Sequence, residues 1–182
     1  GWERYGVIAD PFCGSGTFLT EAALLSQQAA PGLSRAFAFE SWPSFQTGTW
    51  ERLREAARAQ QVENTPVRLV GSDIDAVALR AARANVRRAG VLEQASLRCA
   101  DAREFAVECG KGERGLVIAN LPYGKRTGGT GPLRRLYGEF ARQLLRASRG
   151  WDFGFVVPQG GGAWLRGLRV RSELRFSNGG VP

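Results

Sequence analysis

The chain has 182 residues, a length that fits one domain with a substantial apolar core. Its formal net charge is +8 and its sequence pI is about 10.4, and nearly all of the positive charge comes from arginine. Arginine pairs bidentately with phosphate and stacks on bases. The composition therefore indicates a polyanionic partner such as nucleic acid, with a solvated basic face as the alternative.

The residue types that are missing exclude several function classes. There is no histidine, which excludes triad hydrolase chemistry and histidine-ligated metal sites within this chain. The three cysteines lack Cys-x-x-Cys spacing, so we expect a reducing compartment, the cytoplasm, and no metal. No segment approaches the roughly 18 apolar residues of a membrane span, so no membrane partner is expected. The absence of methionine indicates a portion of a longer protein.

Taken in order, the chain predicts alternating strands and helices, which is typical of a mostly parallel sheet with helices on both faces. The predicted strands are residues 5–9, 67–72, 95–99, 115–119, 152–157 and 168–176. A hairpin signal at 177–180 follows the last of them, and its return strand is incomplete at Pro182. The sequence therefore predicts an α/β fold.

Four helices are predicted between these strands. They begin after the first strand, near residue 49, at residue 75 and near residue 133, with Ser15, Thr49 and Asp75 as N-caps of the first three. The predicted apolar faces are Phe18, Ala22, Leu25 and Ala29; then Trp50, Leu53 and Ala57; then Leu79, Ala82 and Val86; and finally Leu133, Leu136, Tyr137, Phe140 and Leu144.

Residues 33–65 interrupt the alternation and are interpreted as an insertion within one domain that covers 1–182. The aromatic stretch 37–45 is expected to pack against the edge of the sheet, with a substrate wall as the alternative. Residues 124–132 form a predicted glycine-rich loop, and its Lys125 and Arg126 are predicted to hold RNA phosphates.

Polar side chains follow four successive predicted strands. Asp10, Asp73, Asp101 and Asn120 stand at these positions, and the carboxyl ends of parallel strands share one edge of a sheet. We therefore expect the four side chains to converge on a single crevice.

The segments around these acids suit a nucleoside ligand. Gly14 and Gly16 in the turn after the first strand allow a ligand to approach the backbone closely. Asp73 can accept both hydrogens of a ribose diol, and Asp101 can accept from an adenine amine. Ile74 could cover one face of that adenine.

The stretch 120–123 suits a planar base with an exocyclic amine. The amide oxygen of Asn120 and the carbonyl of Leu121 can each accept a hydrogen from an NH2 group, and the ring of Tyr123 can stack on the base. Pro122 follows the carbonyl directly. A strand-ending turn is the alternative, because asparagine and proline are common there.

These segments resemble class I S-adenosylmethionine-dependent methyltransferases, with residues 10–17 as the cofactor turn and 71–75 as the ribose-binding strand end. Residues 120–123 resemble the (Asn/Asp)-Pro-Pro-(Tyr/Phe) motif of amine methylation, with Leu121 in the first proline position. The resemblance implies a Rossmann-like fold with S-adenosylmethionine as cofactor. The implied cofactor residues are Asp10, Gly14, Ser15, Gly16, Thr17, Asp73, Ile74, Asp101, Ala102 and Asn120, and the implied catalytic residues are Asn120, Leu121, Pro122 and Tyr123.

More narrowly, the chain is similar to the catalytic domain of THUMP-containing RNA guanine-N2 methyltransferases. Residues 30–33, 39–42 with Trp50, 82–85 with 89–90, and 178–179 carry this resemblance. The insertion is especially like that of the bacterial 23S ribosomal RNA guanine-N2 enzyme, although relatives that methylate transfer RNA share much of the pattern. The resemblance implies RNA as the partner and an N-terminal THUMP RNA-binding domain in the full-length protein.

Other functions use parts of the same pattern. DNA adenine-N6 and glutamine-N5 methylation share the amine-holding motif and stay open. A non-catalytic RNA-binding module would be expected to lose Asp73 or Asn120. A nicotinamide enzyme is disfavoured because Leu19 occupies the third glycine position of its fingerprint. Cys13 is not expected to act as a thiolate nucleophile, because it has no positively charged sequence neighbour.

Overall fold

The computed structural model describes residues 1–33, 35–62, 65–107, 110, 112–123 and 130–176. Five strands form one sheet in the order β3-β2-β1-β4-β5, and every neighbouring pair is parallel. The strands are β1 (Val7–Asp10), β2 (Arg68–Asp73), β3 (Ala95–Cys99), β4 (Gly115–Asn120) and β5 (Asp152–Val156). The predicted α/β fold is therefore confirmed, and these five strands lie within two residues of their predicted bounds.

The order of the strands reverses at β1. The chain runs outward from β1 through β2 to β3, and then returns to the other side of β1 for β4 and β5. In open α/β sheets such a reversal leaves a crevice outside the carboxyl ends of the strands, where ligands bind. Asp10, Asp73 and Asn120 are the last residues of β1, β2 and β4, so all three stand at this edge.

Helices cover both faces of the sheet, with α1 (Thr17–Ser26) and α3 (Ala76–Arg88) on one face and α4 (Thr130–Ala147) on the other. The remaining helix, α2 (Thr47–Ala59), lies in the insertion and has no buried residue. Successive strand residues point to opposite faces, so Val7 and Ala9 pack with residues of α4, whereas Ile8 packs with residues of α1 and α3. The buried residues of α3 are Leu79, Ala82 and Val86, as predicted, and α4 buries Leu133, Tyr137, Phe140, Ala141 and Leu144.

The N-cap of α3 was predicted correctly, but that of α1 was not. The Asp75 side chain accepts a hydrogen bond from the Val77 N–H at 2.7 Å. In α1 the N-cap is Gly16, with a φ of 78°, and Ser15 makes no cap hydrogen bond. The cap differs because the turn needs a left-handed residue at this position, which glycine adopts without strain.

The apolar face predicted for α1 is also wrong. The buried residues are Leu19, Ala23 and Ser26, whereas Leu25 is 58% exposed. The N-cap is Gly16 and not Ser15, so the helix begins one residue later than predicted, at Thr17. The buried positions are likewise one residue later than the predicted ones. The helix ends at Ser26, before Ala29, the last residue of the predicted apolar face.

Two more helices begin earlier than predicted. The N-cap of α2 is Gln46, and the hydroxyl of Thr49 bonds the Gln46 side chain instead of capping the helix. The helix α4 begins at Thr130, within the segment that was predicted to be a loop.

The aromatic residues of the insertion do not pack against the sheet as expected. They pack on one another, with ring centroids 5.3 Å apart for Phe37 and Phe39 and 5.1 Å apart for Phe39 and Trp50. Neither apolar cluster of the sheet contains them among the residues described. Aromatic rings gain from stacked and edge-to-face contact with each other, so this set forms a separate cluster.

The sixth predicted strand is not formed. Residues 168–176 have no strand structure, and Val170, Leu174 and Phe176 are mostly exposed. An alternating sequence becomes a strand only when a neighbour supplies hydrogen bonds, and no described strand pairs with this segment. The hairpin at 177–180 lies outside the described residues. No helix in the described part of the chain is long and apolar enough to cross a membrane.

Candidate functional site

The turn after β1 is fastened to the end of β2 by hydrogen bonds. The Gly14 N–H donates to Oδ2 of Asp73 at 2.8 Å, and the Cys13 N–H donates to the Ser72 carbonyl at 2.9 Å. Oδ1 of Asp73 accepts from the Asp75 N–H at 2.9 Å. Each carboxylate oxygen of Asp73 therefore keeps a lone pair for a further donor, and the carboxylate is held in place by backbone groups from two segments.

The two glycines of this turn have different roles. Gly14 has a φ of +51°, and a Cβ added there would meet no atom within 4 Å, so open space lies beside its backbone. Gly16 is buried, and its Cβ would lie 3.1 Å from the Cβ of Ala82, so its small size allows α1 and α3 to pack closely. Ser15 and Thr17 are exposed between and after them. Only Gly14 of the two glycines leaves room for a ligand.

Asp10 lies beneath the turn and is 2% exposed. Burial raises the pKa of its carboxyl to about 7, the hydrogen bond from the Phe12 N–H opposes that rise, and the negative charge of Asp73 adds to it. Burial likewise raises the pKa of the Cys13 thiol to about 12. Cys13 is therefore protonated at neutral pH, in agreement with the expectation that it is not a nucleophile.

Asp101 lies beside the end of β2, because the Ala100 N–H donates to the Asp73 carbonyl at 3.0 Å. Its carboxylate accepts from the backbone and the guanidinium of Arg103, which lowers its pKa. Arg103 also reaches Glu139 of α4 at 3.3 Å. Sequence reasoning missed the Asp101–Arg103 ion pair, although an arginine two residues after an acid is a sign of such a pair. Ala102 is buried beside Asp101.

Ile74 stands next to Asp73 with its side chain 71% exposed. An apolar side chain of this size at the ligand edge of a sheet provides a surface on which a planar ring can rest. The structure thus brings three predicted site residues together, because Asp73 accepts a hydrogen bond from Gly14 and its charge acts on Asp10. Ile74 is exposed beside them.

The segment 120–123, here named the acceptor loop, leaves the sheet at the end of β4. The Asn120 side chain is exposed, and Tyr123 is 42% exposed. Leu121 is anchored by its buried side chain and by its N–H, which donates to the Val156 carbonyl at 3.0 Å. No described residue donates to the Leu121 carbonyl. Lys125 and Arg126, which follow the loop, lie outside the described residues.

The acceptor loop has a second anchor that sequence reasoning missed. The hydroxyl of Tyr137 donates to the Pro122 carbonyl at 2.9 Å, across 15 residues of sequence. The helical periodicity of α4 marked Tyr137 as a core residue, but periodicity carries no information about what its hydroxyl contacts. Among the described residues, none hydrogen-bonds the Asn120 side-chain amide or the Leu121 carbonyl, and the Tyr123 side chain is partly exposed beside them.

The fold and this edge define a Rossmann-like class I methyltransferase domain, and solved structures with the same fold agree. A possible methylase from Clostridium difficile 630 is 30% identical, with a TM-score of 0.86, over 96% of this chain and 45% of that one. SMU.472, solved in complex with SAH, is 31% identical with a TM-score of 0.74, over 81% of this chain and 38% of that one.

Residues 1–157 match the family described as RMKL-like, methyltransferase domain, and the chain belongs to that family. A curated relative, "Ribosomal RNA large subunit methyltransferase K/L" of Shewanella baltica (strain OS195), is 38% identical over 186 residues and matches 100% of this chain. The chain spans 26% of the length of that relative.

Proposed function

We propose that this chain is the catalytic domain of an S-adenosylmethionine-dependent methyltransferase that methylates N2 of guanine in 23S ribosomal RNA. The observation that carries this proposal is the acceptor loop at the reversal point of the sheet, where the exposed Asn120 amide stands beside the Leu121 carbonyl, to which no described residue donates a hydrogen bond. The name of the curated relatives, ribosomal RNA large subunit methyltransferase K/L, supports ribosomal RNA as the substrate.

The residues at the sheet edge fit the cofactor. The open space beside Gly14 allows its backbone to be approached closely, and Asp73 has a free lone pair on each oxygen for a ribose diol. The exposed Ile74 offers a surface for the adenine ring. The Asp73 carboxylate gives this edge acidic character, which suits the cationic sulfonium and ammonium groups, whereas the buried Asp10 lies beneath and accepts from the Phe12 N–H of the turn.

When bound, S-adenosylmethionine supplies a methyl group that is activated by its positively charged sulfur. In this proposal, Asp101 accepts a hydrogen bond from the adenine amine of the cofactor, and the buried Ala102 lies next to it. The Asp101 carboxylate already accepts four hydrogen bonds from Arg103, so it is held in one orientation before a ligand binds. The remaining residues of the cofactor turn, Ser15 and Thr17, are exposed on the same turn.

The acceptor loop orients the amine. Oδ1 of Asn120 and the Leu121 carbonyl each accept one hydrogen of the guanine NH2, which turns the nitrogen toward the methyl group, and Tyr123 stacks on the base. Orientation of this kind can contribute about 7–11 kcal/mol to lowering a barrier. The S–CH3 bond would break as the N–CH3 bond forms, which leaves S-adenosylhomocysteine. Neither an amide nor a peptide carbonyl takes up a proton at neutral pH, so the proton of the methylated amine would leave to water.

Other features of the chain support an RNA substrate. The net charge of +8 suits a polyanion, and Lys125 and Arg126 would hold phosphates close to the acceptor loop. A base inside a helix must be flipped out, or be presented from a loop, before its amine can reach the site. A THUMP domain elsewhere in the full-length protein would supply further RNA contacts. A ribosomal substrate also agrees with the cytoplasmic location indicated by the cysteines.

Nucleoside mass spectrometry tests this proposal in the full-length protein. Cells that lack the gene are compared with cells that carry it, and we expect N2-methylguanosine at one position of 23S ribosomal RNA to disappear and to return on complementation. Loss from transfer RNA instead, or of N6-methyladenine from DNA, would assign one of the other substrates. No change in any nucleic acid, with RNA binding retained, would favour the non-catalytic module.

A further inference from the structure

We infer that Tyr137 is a positioning residue for methyl transfer, because its hydroxyl holds the acceptor loop in the geometry that orients the amine. The inference rests on the proposed function and extends it to a residue of α4 that lies outside the motif. Its basis is the hydrogen bond of 2.9 Å between the Tyr137 hydroxyl and the Pro122 carbonyl.

The acceptor loop needs such an anchor. Hydrogen bonding between β4 and β5 ends at the Leu121 N–H, which donates to the Val156 carbonyl. Pro122 has no N–H, so its carbonyl is the one backbone group through which this residue can be tied down. Tyr137 supplies that tie, and no other described residue donates to the Pro122 carbonyl.

Tyr137 is itself held rigidly. It is fully buried in the middle of α4, and its ring lies edge-to-face on Trp164 with the centroids 5.4 Å apart. Burial raises the pKa of its hydroxyl to about 12, so the group stays protonated and remains a donor at any working pH. A buried hydroxyl without a partner is costly, which favours the hydrogen-bonded state of the loop.

The anchored carbonyl fixes the groups on either side of it. Pro122 lies between the Leu121 carbonyl, which is proposed to accept an amine hydrogen, and Tyr123, which is proposed to stack on the base. Rotation of the peptide after Pro122 would change the direction of the Tyr123 ring, and a shift of Pro122 itself would move the Leu121 carbonyl, which is bonded to its ring nitrogen. Displacements of about 1 Å in such positioning groups can cost roughly a hundredfold in rate.

Tyr5 provides a matched control. Its side chain is also buried, and its hydroxyl donates to Oδ2 of Asp152 at 2.8 Å, near the amino ends of β1 and β5. The Tyr5 hydroxyl also accepts from Nη2 of Arg4 at 2.6 Å, so Tyr5→Phe removes two hydrogen bonds of a buried tyrosine, whereas Tyr137→Phe removes the one to Pro122. Only Tyr137→Phe releases the acceptor loop, so a purely structural role of Tyr137 predicts that it lowers kcat no more than Tyr5→Phe does.

The test uses the full-length protein with tritiated S-adenosylmethionine and unmodified 23S ribosomal RNA. For Tyr137→Phe we expect kcat to fall by roughly tenfold to a hundredfold, with the Kd for S-adenosylmethionine within about twofold of wild type. Tyr5→Phe is expected to keep the wild-type kcat while losing at least as much thermal stability as Tyr137→Phe. Equal kcat values for the two variants would overturn the inference but leave the proposed function intact.

A structural measurement tests the inference independently of the substrate. Crystal structures of both variants are compared with the wild type, and we expect the Pro122 carbonyl and the Tyr123 ring to shift or lose order only in Tyr137→Phe. An acceptor loop that stays in place without the hydroxyl would refute the positioning role. This result holds even if wild-type protein transfers no methyl group to 23S ribosomal RNA, an outcome that would instead count against the proposed function.

Discussion

Removal of the Asp73 carboxylate is expected to weaken cofactor binding, because this group joins the glycine turn to the proposed ribose site. In Asp73→Ala the Gly14 N–H and the Asp75 N–H lose acceptors that lie 2.8 and 2.9 Å away. A hydrogen bond to a charged group contributes about 1.5–3 kcal/mol, so loss of one ribose hydroxyl contact alone should raise the Kd roughly tenfold to 150-fold. Disorder of the turn would add to this effect.

Asp75→Ala is the matched control for Asp73→Ala. This variant removes the N-cap of α3, where Oδ1 accepts from the Val77 N–H at 2.7 Å, and should cost about 0.5–2 kcal/mol of stability. Its Kd for S-adenosylhomocysteine should nevertheless match the wild type in isothermal titration calorimetry. The ribose assignment would be refuted if Asp73→Ala bound the ligand with wild-type affinity, or if Asp75→Ala weakened binding equally.

Two further predictions concern stability. Burial raises the pKa of Asp10 from 3.8 to about 7, so between these pH values the folded chain holds a proton on Asp10 that the unfolded chain releases. The wild type therefore loses stability as the pH rises toward 7, whereas Asp10→Asn does not titrate at this position. In urea unfolding, the stability of Asp10→Asn relative to wild type should increase from pH 5 to pH 8, and a constant difference would contradict the buried state of this carboxyl. Gly115→Ala should lower the free energy of unfolding by about 1–3 kcal/mol, since its Cβ would overlap the Trp151 ring. Gly154→Ala, whose Cβ would meet no atom within 4 Å, should lose less, and equal losses would show that strand propensity and not crowding sets the cost.

The fold and the edge of the site could be predicted because they depend on local patterns. Buried parallel strands appear as short apolar runs, and a polar residue directly after such a run falls at the carboxyl edge whatever the order of the strands. Asp10, Asp73 and Asn120 were identified in this way, and the structure has them as the last residues of their strands. Asp75 was identified as a cap from its position before a helix.

The remaining features depend on contacts that have no local pattern. The Tyr137 hydroxyl and the Arg103 guanidinium reach partners on other elements, and residue spacing does not encode these directions. The packing partner of the aromatic insertion was predicted wrongly. Large rings in a sequence indicate burial but not the residues that they pack against, and here they pack against one another. The segment 168–176 alternates like a strand, yet alternation cannot supply a hydrogen-bonding neighbour.

The most direct test of the account is the effect of Asn120→Ala on turnover and on cofactor binding in the same preparation. Loss of one of the two amine acceptors should reduce methyl transfer to 23S ribosomal RNA by at least about a hundredfold. The Kd for S-adenosylmethionine should stay near that of the wild type, and Asn120→Asp, which keeps an acceptor oxygen, should retain more activity than the alanine variant. Unchanged turnover in Asn120→Ala, or a loss of turnover explained entirely by lost cofactor binding, would contradict the proposed role of the acceptor loop.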